Sequence, residues 1–131
     1  MRQVVLDCLD VRELAEFYRQ LLDLQYRPGD EAPPEGEPDT VDWLVLRSAT
    51  GVGLAFQQLG ELPRSTWPEP GVPQMMHLDT TVGSAGELGA LHKVVLSLGG
   101  ELRYDRYDDP EEPLRVYADP AGHPFCIFVT E

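Results

Sequence analysis

One pattern occurs twice in this chain at an offset of 74 residues, and few folds can accommodate such a repeat. Gln3-Val-Val-Leu-Asp-Cys-Leu-Asp10 leads into Val11-Arg-Glu13-Leu14-Ala-Glu-Phe17. His77-Leu-Asp-Thr-Thr-Val-Gly-Ser84 leads into Ala85-Gly-Glu87-Leu88-Gly-Ala-Leu91 without a gap. In each copy a polar residue opens a short strand. A capping residue follows seven positions on, Asp10 or Ser84, with Glu three residues after it in the capping-box pattern. An apolar stripe at helical spacing comes next. A duplicated strand–helix unit predicts two like modules with the working site between them.

The rest of each copy reads the same way. Residues 3–9 alternate, with Val4, Leu6 and Cys8 on one face and Gln3, Val5 and Asp7 on the other. Leu14, Phe17, Leu21 and Leu24 mark the apolar face of the helix after Asp10, helped by Tyr18. A strand is expected near Leu24 to Arg27, then strands at 42–47 and 52–58 around the turn Ser48-Ala-Thr-Gly51. In the second copy, strand 76–82 precedes a helix with the stripe Leu88, Leu91, Val95 and Leu98, ended by Gly99-Gly100. Strands at 101–107, 114–117 and 124–130 follow, the last two joined by Asp119-Pro-Ala-Gly122. Residues 28–40 and 60–74 each carry four prolines, which rules out a regular element there. The first is expected to be a mobile surface loop and the second a linker. The fold class is therefore α+β: two tandem βαβββ modules, about 1–59 and 75–131, in one domain spanning 1–131. Their sheets curve around a concave face, with the helices outside.

With 131 residues the chain has the length of one domain able to bury a core without staples. The net charge of −13 argues against nucleic acid and against anionic membrane surfaces, both of which need a positive face. Much of the acidity falls in residues 30–39 and 105–112, read as solvated loops. No apolar run reaches signal-peptide or membrane-spanning length, so a cytoplasmic location is expected. Cys8 and Cys126 are expected to be reduced. By strand parity Cys8 faces the helix and Cys126 the concave side, so they should not bridge to each other.

The paired modules, the segment Asp10-Val-Arg-Glu-Leu-Ala-Glu-Phe-Tyr18-Arg-Gln-Leu-Leu22 and the ending Asp119-Pro-Ala-Gly-His-Pro-Phe125 resemble the vicinal oxygen chelate superfamily. That group includes glyoxalase I, bleomycin-resistance proteins, fosfomycin-resistance enzymes and extradiol dioxygenases, and this chain looks most like its small glyoxalase-like proteins. The resemblance implies a barrel of about eight strands and a homodimer, with or without exchange of modules. It also implies four metal-ligand positions, two at the starts of the first strands and two in the last strands. Carried onto this sequence they fall on Gln3, His77, Ala55 and Cys126. In the metal enzymes the last two are normally glutamates.

That departure decides the expected chemistry. Mg²⁺, Mn²⁺ and Fe²⁺ prefer carboxylate and imidazole donors, and a set of Gln3, His77 and Cys126 with a gap at Ala55 is poor in charge. Gln57 faces the same way as Ala55 and is a substitute donor. The concave face is expected to carry a ligand, with Gln3, Val5, Asp7, Ala55, Gln57, His77, Asp79, Thr81, Cys126 and Phe128 as its contacts. Asp7 stands where glyoxalase I has an arginine for its anionic substrate, which favours a neutral or cationic ligand. His92 is expected at the surface and His123 in a turn, and Cys126 reads as a buried packing residue more than a nucleophile. Trp67 is a lid or a dimer contact on sequence grounds alone. The expected function is a metal-independent small-molecule binding protein of the bleomycin-resistance type, with no cofactor. The alternative is a metal-dependent lyase, isomerase or dioxygenase-related enzyme, with His77 as the leading catalytic candidate and Gln3, His77 and Gln57 or Cys126 around a divalent metal.

Overall fold

The structure, a computed structural model, describes residues 1–130. It contains two compact units, Met1–Leu62 and a second beginning at Pro63. In the first, β1 (Gln3–Cys8) leads to α1 (Val11–Leu21), then β2 (Gln25–Tyr26), β3 (Trp43–Arg47) and β4 (Gly53–Gln58). In the second, β5 (Leu78–Val82) leads to α2 (Ala85–Ser97), then β6 (Glu101–Arg106), β7 (Leu114–Ala118) and β8 (Pro124–Val129). Hydrogen bonds join these strands as two four-stranded mixed sheets, β1-β4-β3-β2 and β5-β8-β7-β6, and close no barrel. The repeat is thus realised as the βαβββ order expected. Among the described residues no helix is long and apolar enough to cross a membrane.

Both helices start where their caps dictate. The Asp10 carboxylate accepts the Glu13 N–H at 3.0 Å, and Ser84 Oγ accepts the Glu87 N–H at 3.2 Å. Each cap is worth about 1 kcal/mol against alanine. The Glu87 carboxylate reaches one residue beyond the cap, to the Gly83 N–H at 2.7 Å. Helix α1 then buries Val11, Leu14, Ala15, Phe17, Tyr18 and Leu21 against β3 and β4. Tyr18 stacks on Phe56 with centroids 6.1 Å apart and meets Phe17 edge-on at 5.0 Å. A fully buried side chain of this kind stabilises by roughly 1.5–3 kcal/mol, so Leu14 and Phe17 anchor the unit. Helix α2 is less one-sided: Leu88 and Val95 are buried, Leu91 and Leu98 only half-buried, and Val94 and Leu96 exposed. Gly99 ends it at φ +96°, a conformation other residues rarely adopt.

The register sorts side chains onto two faces. In the first sheet Val4, Leu6 and Cys8 share the helix side with Leu54 and Phe56, while Gln3, Val5 and Asp7 pair with Gly53, Ala55 and Gln57 on the open side. In the second sheet Leu78 and Thr80 pair with Phe125 and Ile127 on the helix side, and Asp79 and Thr81 with Cys126 and Phe128 on the other.

Loop 28–40 is largely exposed, as the solvated reading of its acidic stretch has it, but it is tied to its neighbours, and segment 63–74 packs within the second unit. Arg12 bridges to Asp39 at 2.6 Å and donates to the Asp30 carbonyl at 2.8 Å, and its guanidinium lies 5.0 Å from the Tyr26 ring centre. The Asp30 carboxylate accepts the Val45 N–H at 3.0 Å and pairs with Arg27 at the same distance. Loop 28–40 is therefore stapled to the helix and sheet that flank it. Segment 63–74 folds onto the second unit: Arg64 donates to the Pro120 carbonyl at 2.8 Å and Arg103 to the Thr66 carbonyl at 2.8 Å. Thr66 and Val72 close the segment on itself, with Thr66 N–H to the Val72 carbonyl at 2.8 Å.

Candidate functional site

The second unit gathers three metal-capable side chains on the open face of its sheet. His77, Asp79 and Cys126 offer an imidazole nitrogen, a carboxylate oxygen and a sulfur that all lie within 4.8 Å of one another. Register explains the meeting: Asp79 and Cys126 are directly paired across β5 and β8. His77 falls just before β5, since the strand begins at Leu78 rather than at 76. Its Nε2 lies 3.2 Å from Asp79 Oδ1 and its Nδ1 3.2 Å from Gln74 Oε1. Trp67 lies over the imidazole, ring centroids 5.5 Å apart and planes 14° from parallel.

The electrostatics of the three are unequal. Asp79 is exposed and Cys126 is buried. Burial pushes the Cys126 thiol up to about 11, and the Asp79 charge and hydrogen bond add to the rise. A neutral buried thiol is a poor nucleophile, in keeping with a packing role.

The other expected site residues divide by unit. In the first, Gln3, Val5, Asp7, Ala55 and Gln57 share the open face, as parity predicted, with Val5 and Gln57 exposed and Ala55 fully buried. In the second, Thr81 is exposed beside half-buried Phe128. Gln74 was missed at the sequence level and Trp67 was read only as a lid or a dimer contact, because both reach His77 through an irregular segment with no period to read. His92 differs from its surface assignment. It is half-buried, with Nδ1 2.9 Å from the Tyr117 hydroxyl, and burial chiefly, then the Arg115 charge, lowers its pKa. The two thiols are free, as expected.

Residues 3–128 match the model of the family described as glyoxalase-like domain. The chain belongs to that family. This glyoxalase-like domain also shares its fold with solved structures across nearly its whole length. A glyoxalase/bleomycin resistance protein/dioxygenase family enzyme from Burkholderia phytofirmans PsJN superposes with a TM-score of 0.70 at 16% identity, covering 98% of this chain and 97% of that one. A hypothetical protein from S. aureus gives 0.68 at 14% identity, covering 99% and 96%. The fosfomycin resistance protein FosX from Listeria monocytogenes, solved with Mn(II) and sulfate, gives 0.67 at 13% identity, covering 100% and 92%. No curated protein matches the sequence. At these identities the structural likeness establishes the fold, and function has to be argued from the site.

The site of this glyoxalase-like domain has the donors of a three-ligand metal centre. Each His77 ring nitrogen faces an acceptor, Nε2 the Asp79 carboxylate and Nδ1 the Gln74 amide oxygen. A ring proton held on Nδ1 by Gln74 would leave Nε2 to a metal, the orienting role that an outer acceptor plays at metal sites. One imidazole, one carboxylate and one thiol match the ligand types of zinc more closely than those of Mn²⁺ or Mg²⁺.

Proposed function

We propose that this domain is a small-molecule binding protein of the glyoxalase/bleomycin-resistance type, working without a metal. The observation that carries this reading is the Trp67–His77 stack beside Asp79, an aromatic platform with a carboxylate at its edge. Ligand pockets combine apolar contact surface with a few placed polar groups in this way. On this reading the ligand contacts His77, Asp79, Thr81, Cys126 and Phe128 of the second unit. Metal independence rests on the donors: Ala55 and Cys126 stand where carboxylates would hold a hard cation, and the Cys126 thiol would have to lose a proton it holds tightly. A cytoplasmic homodimer is part of the proposal, and sedimentation at micromolar concentration tests its assembly.

A thermal-shift screen of amphiphilic aromatic compounds, run with and without chelator, tests the reading. A ligand at 100 times its Kd should add about 2.7 kcal/mol of stability, unaffected by chelator and lost in Trp67→Ala. A panel of such compounds giving no shift sinks the proposal.

The clustering of His77, Asp79 and Cys126 favours a second reading, a metal-dependent lyase, isomerase or dioxygenase-related enzyme. His77, Asp79 and Cys126 would hold the ion, which when bound would polarise substrate oxygens as a Lewis acid. The residues themselves would orient it: a His77 Nδ1 proton held by Gln74 would leave Nε2 to the ion, and Trp67 stacks on the ring plane. A stoichiometric divalent ion in protein purified without chelator, released by His77→Ala, would replace the first reading with this one.

A further inference from the structure

We propose that the first unit carries a binding site for a phosphoryl-type dianion where β1 begins. A recess of about 220 Å³ opens there, and Arg2, Gln3, Arg27, Arg47, Ser48 and Gly53 are among its lining residues. Three of the ten Lys and Arg residues in a chain of net charge −13 thus converge on one concavity.

The sheet register forces the convergence. Gln25 pairs with Arg47, and the Arg27 N–H continues the ladder to the Val45 carbonyl at 2.9 Å. Arg27 and Arg47 are therefore diagonal neighbours on one face, an arrangement in which like charges repel. Arg27 is held in place by Asp30, which is itself fixed by the Val45 N–H. Arg2 and Arg47 have no carboxylate within ion-pairing distance among the described residues. The site consequently holds two uncompensated guanidinium charges and one anchored one. Ser48 Oγ accepts the Thr50 and Gly51 N–H groups at 3.3 and 3.1 Å, and its own proton has no acceptor among the described residues. At Gly53 a Cβ would meet the Leu46 carbonyl oxygen at 2.6 Å, so the wall beside Gln3 stays bare.

Charge and size together select the ligand class. Two free guanidinium forks match the charge of a dianion and the geometry of bidentate oxyanion contact. The recess falls below the roughly 300–1,000 Å³ of pockets that take a whole drug-sized ligand, so it fits one charged group of a larger molecule, or phosphate itself. Asp7 lies four residues along β1 from Gln3, about 13 Å at strand rise, so its charge is at the far end of the face. The recess lies wholly within the first unit, so inorganic phosphate probes it independently of the binding reading.

The test is titration of the full chain with inorganic phosphate at constant ionic strength, followed by melting temperature and by phosphorus NMR line width. A saturable stabilisation over chloride is expected. Arg47→Gln should weaken the apparent Kd by roughly tenfold, as expected for one lost charge-assisted contact, while melting unchanged or higher without phosphate. Lys93→Gln, outside the recess, should bind phosphate as the parent does. An absent phosphate response, or one equal in Arg2→Gln/Arg47→Gln, overturns the site. A response to neutral amphiphiles without one to phosphate removes this inference and leaves the binding reading. The reverse result removes the binding reading and keeps the anion site.

Discussion

The indole of Trp67 covers the imidazole of His77, 14° from parallel, and a proline-rich segment brings it there. The pair couples a fluorophore to the one histidine of the candidate site. In a Trp43→Phe variant Trp67 becomes the sole tryptophan. Zn²⁺ titrated into that variant should leave its emission unchanged if the site is metal-free. If the metal reading is right, emission should change to a one-to-one endpoint that His77→Ala abolishes.

Cys126 should be almost inert to alkylation. A thiol near 11 has a thiolate fraction at pH 7.5 roughly 300-fold below that of an unperturbed thiol near 8.5. Iodoacetamide should modify native protein slowly at both buried cysteines and modify two thiols promptly in denaturant. Rapid native labelling at Cys126 would contradict the environment described.

The His92–Tyr117 contact should tie stability to mild acid. His92 is held below its ordinary value by burial and by Arg115, with Asp105 opposing. Its folded-state pKa is depressed, so below about 6.5 the unfolded chain takes up the proton more readily. Stability should therefore fall as pH drops through about 6.5 and level off once the folded form is also protonated. His92→Gln should flatten that slope in denaturant melts at pH 5 to 8, and an unchanged slope would remove His92 as its source.

Arg12 should govern the order of loop 28–40. Arg12→Ala removes the Asp39 bridge, the bond to the Asp30 carbonyl and the contact with Tyr26. With both charged groups partly exposed, a loss of about 1–2 kcal/mol is expected. Amide exchange should accelerate within the loop before elsewhere. The Asp39 carboxyl is held below its usual range chiefly by its Arg12 hydrogen bond. Its contribution is present above about pH 4 and disappears as pH falls through the lowered folded value. Asp39→Asn should reproduce that part alone.

The regular elements were legible because period and punctuation agree: Asp10 and Ser84 cap where they should, and parity set Asp79 and Cys126 on one face. What could not be read came from chain segments without a period. Gln74 and Trp67 reach His77 through irregular backbone. Arg27 and Arg47 become neighbours only through a β2–β3 register that a 16-residue gap conceals. His92 was misplaced because its partner, Tyr117, comes from a strand beyond the next one. The acidic stretches are largely exposed, as runs of Asp and Glu usually are, and what the sequence did not reveal is which arginines pair with them.

The Asp119-Pro-Ala-Gly122 turn exposes what a family motif measures. Asp119 is fully buried, and its carboxylate accepts the Ala121 and His123 N–H groups at 2.9 and 3.0 Å. Gly122 sits at φ +95°, where a Cβ would strike the Arg64 side chain at 2.9 Å. Every part of the motif is occupied in closing a hairpin and docking Arg64, and none of it is among the side chains at the candidate site. Chains grouped by this signature are grouped by joinery, and two of them can share every letter of it without sharing a ligand.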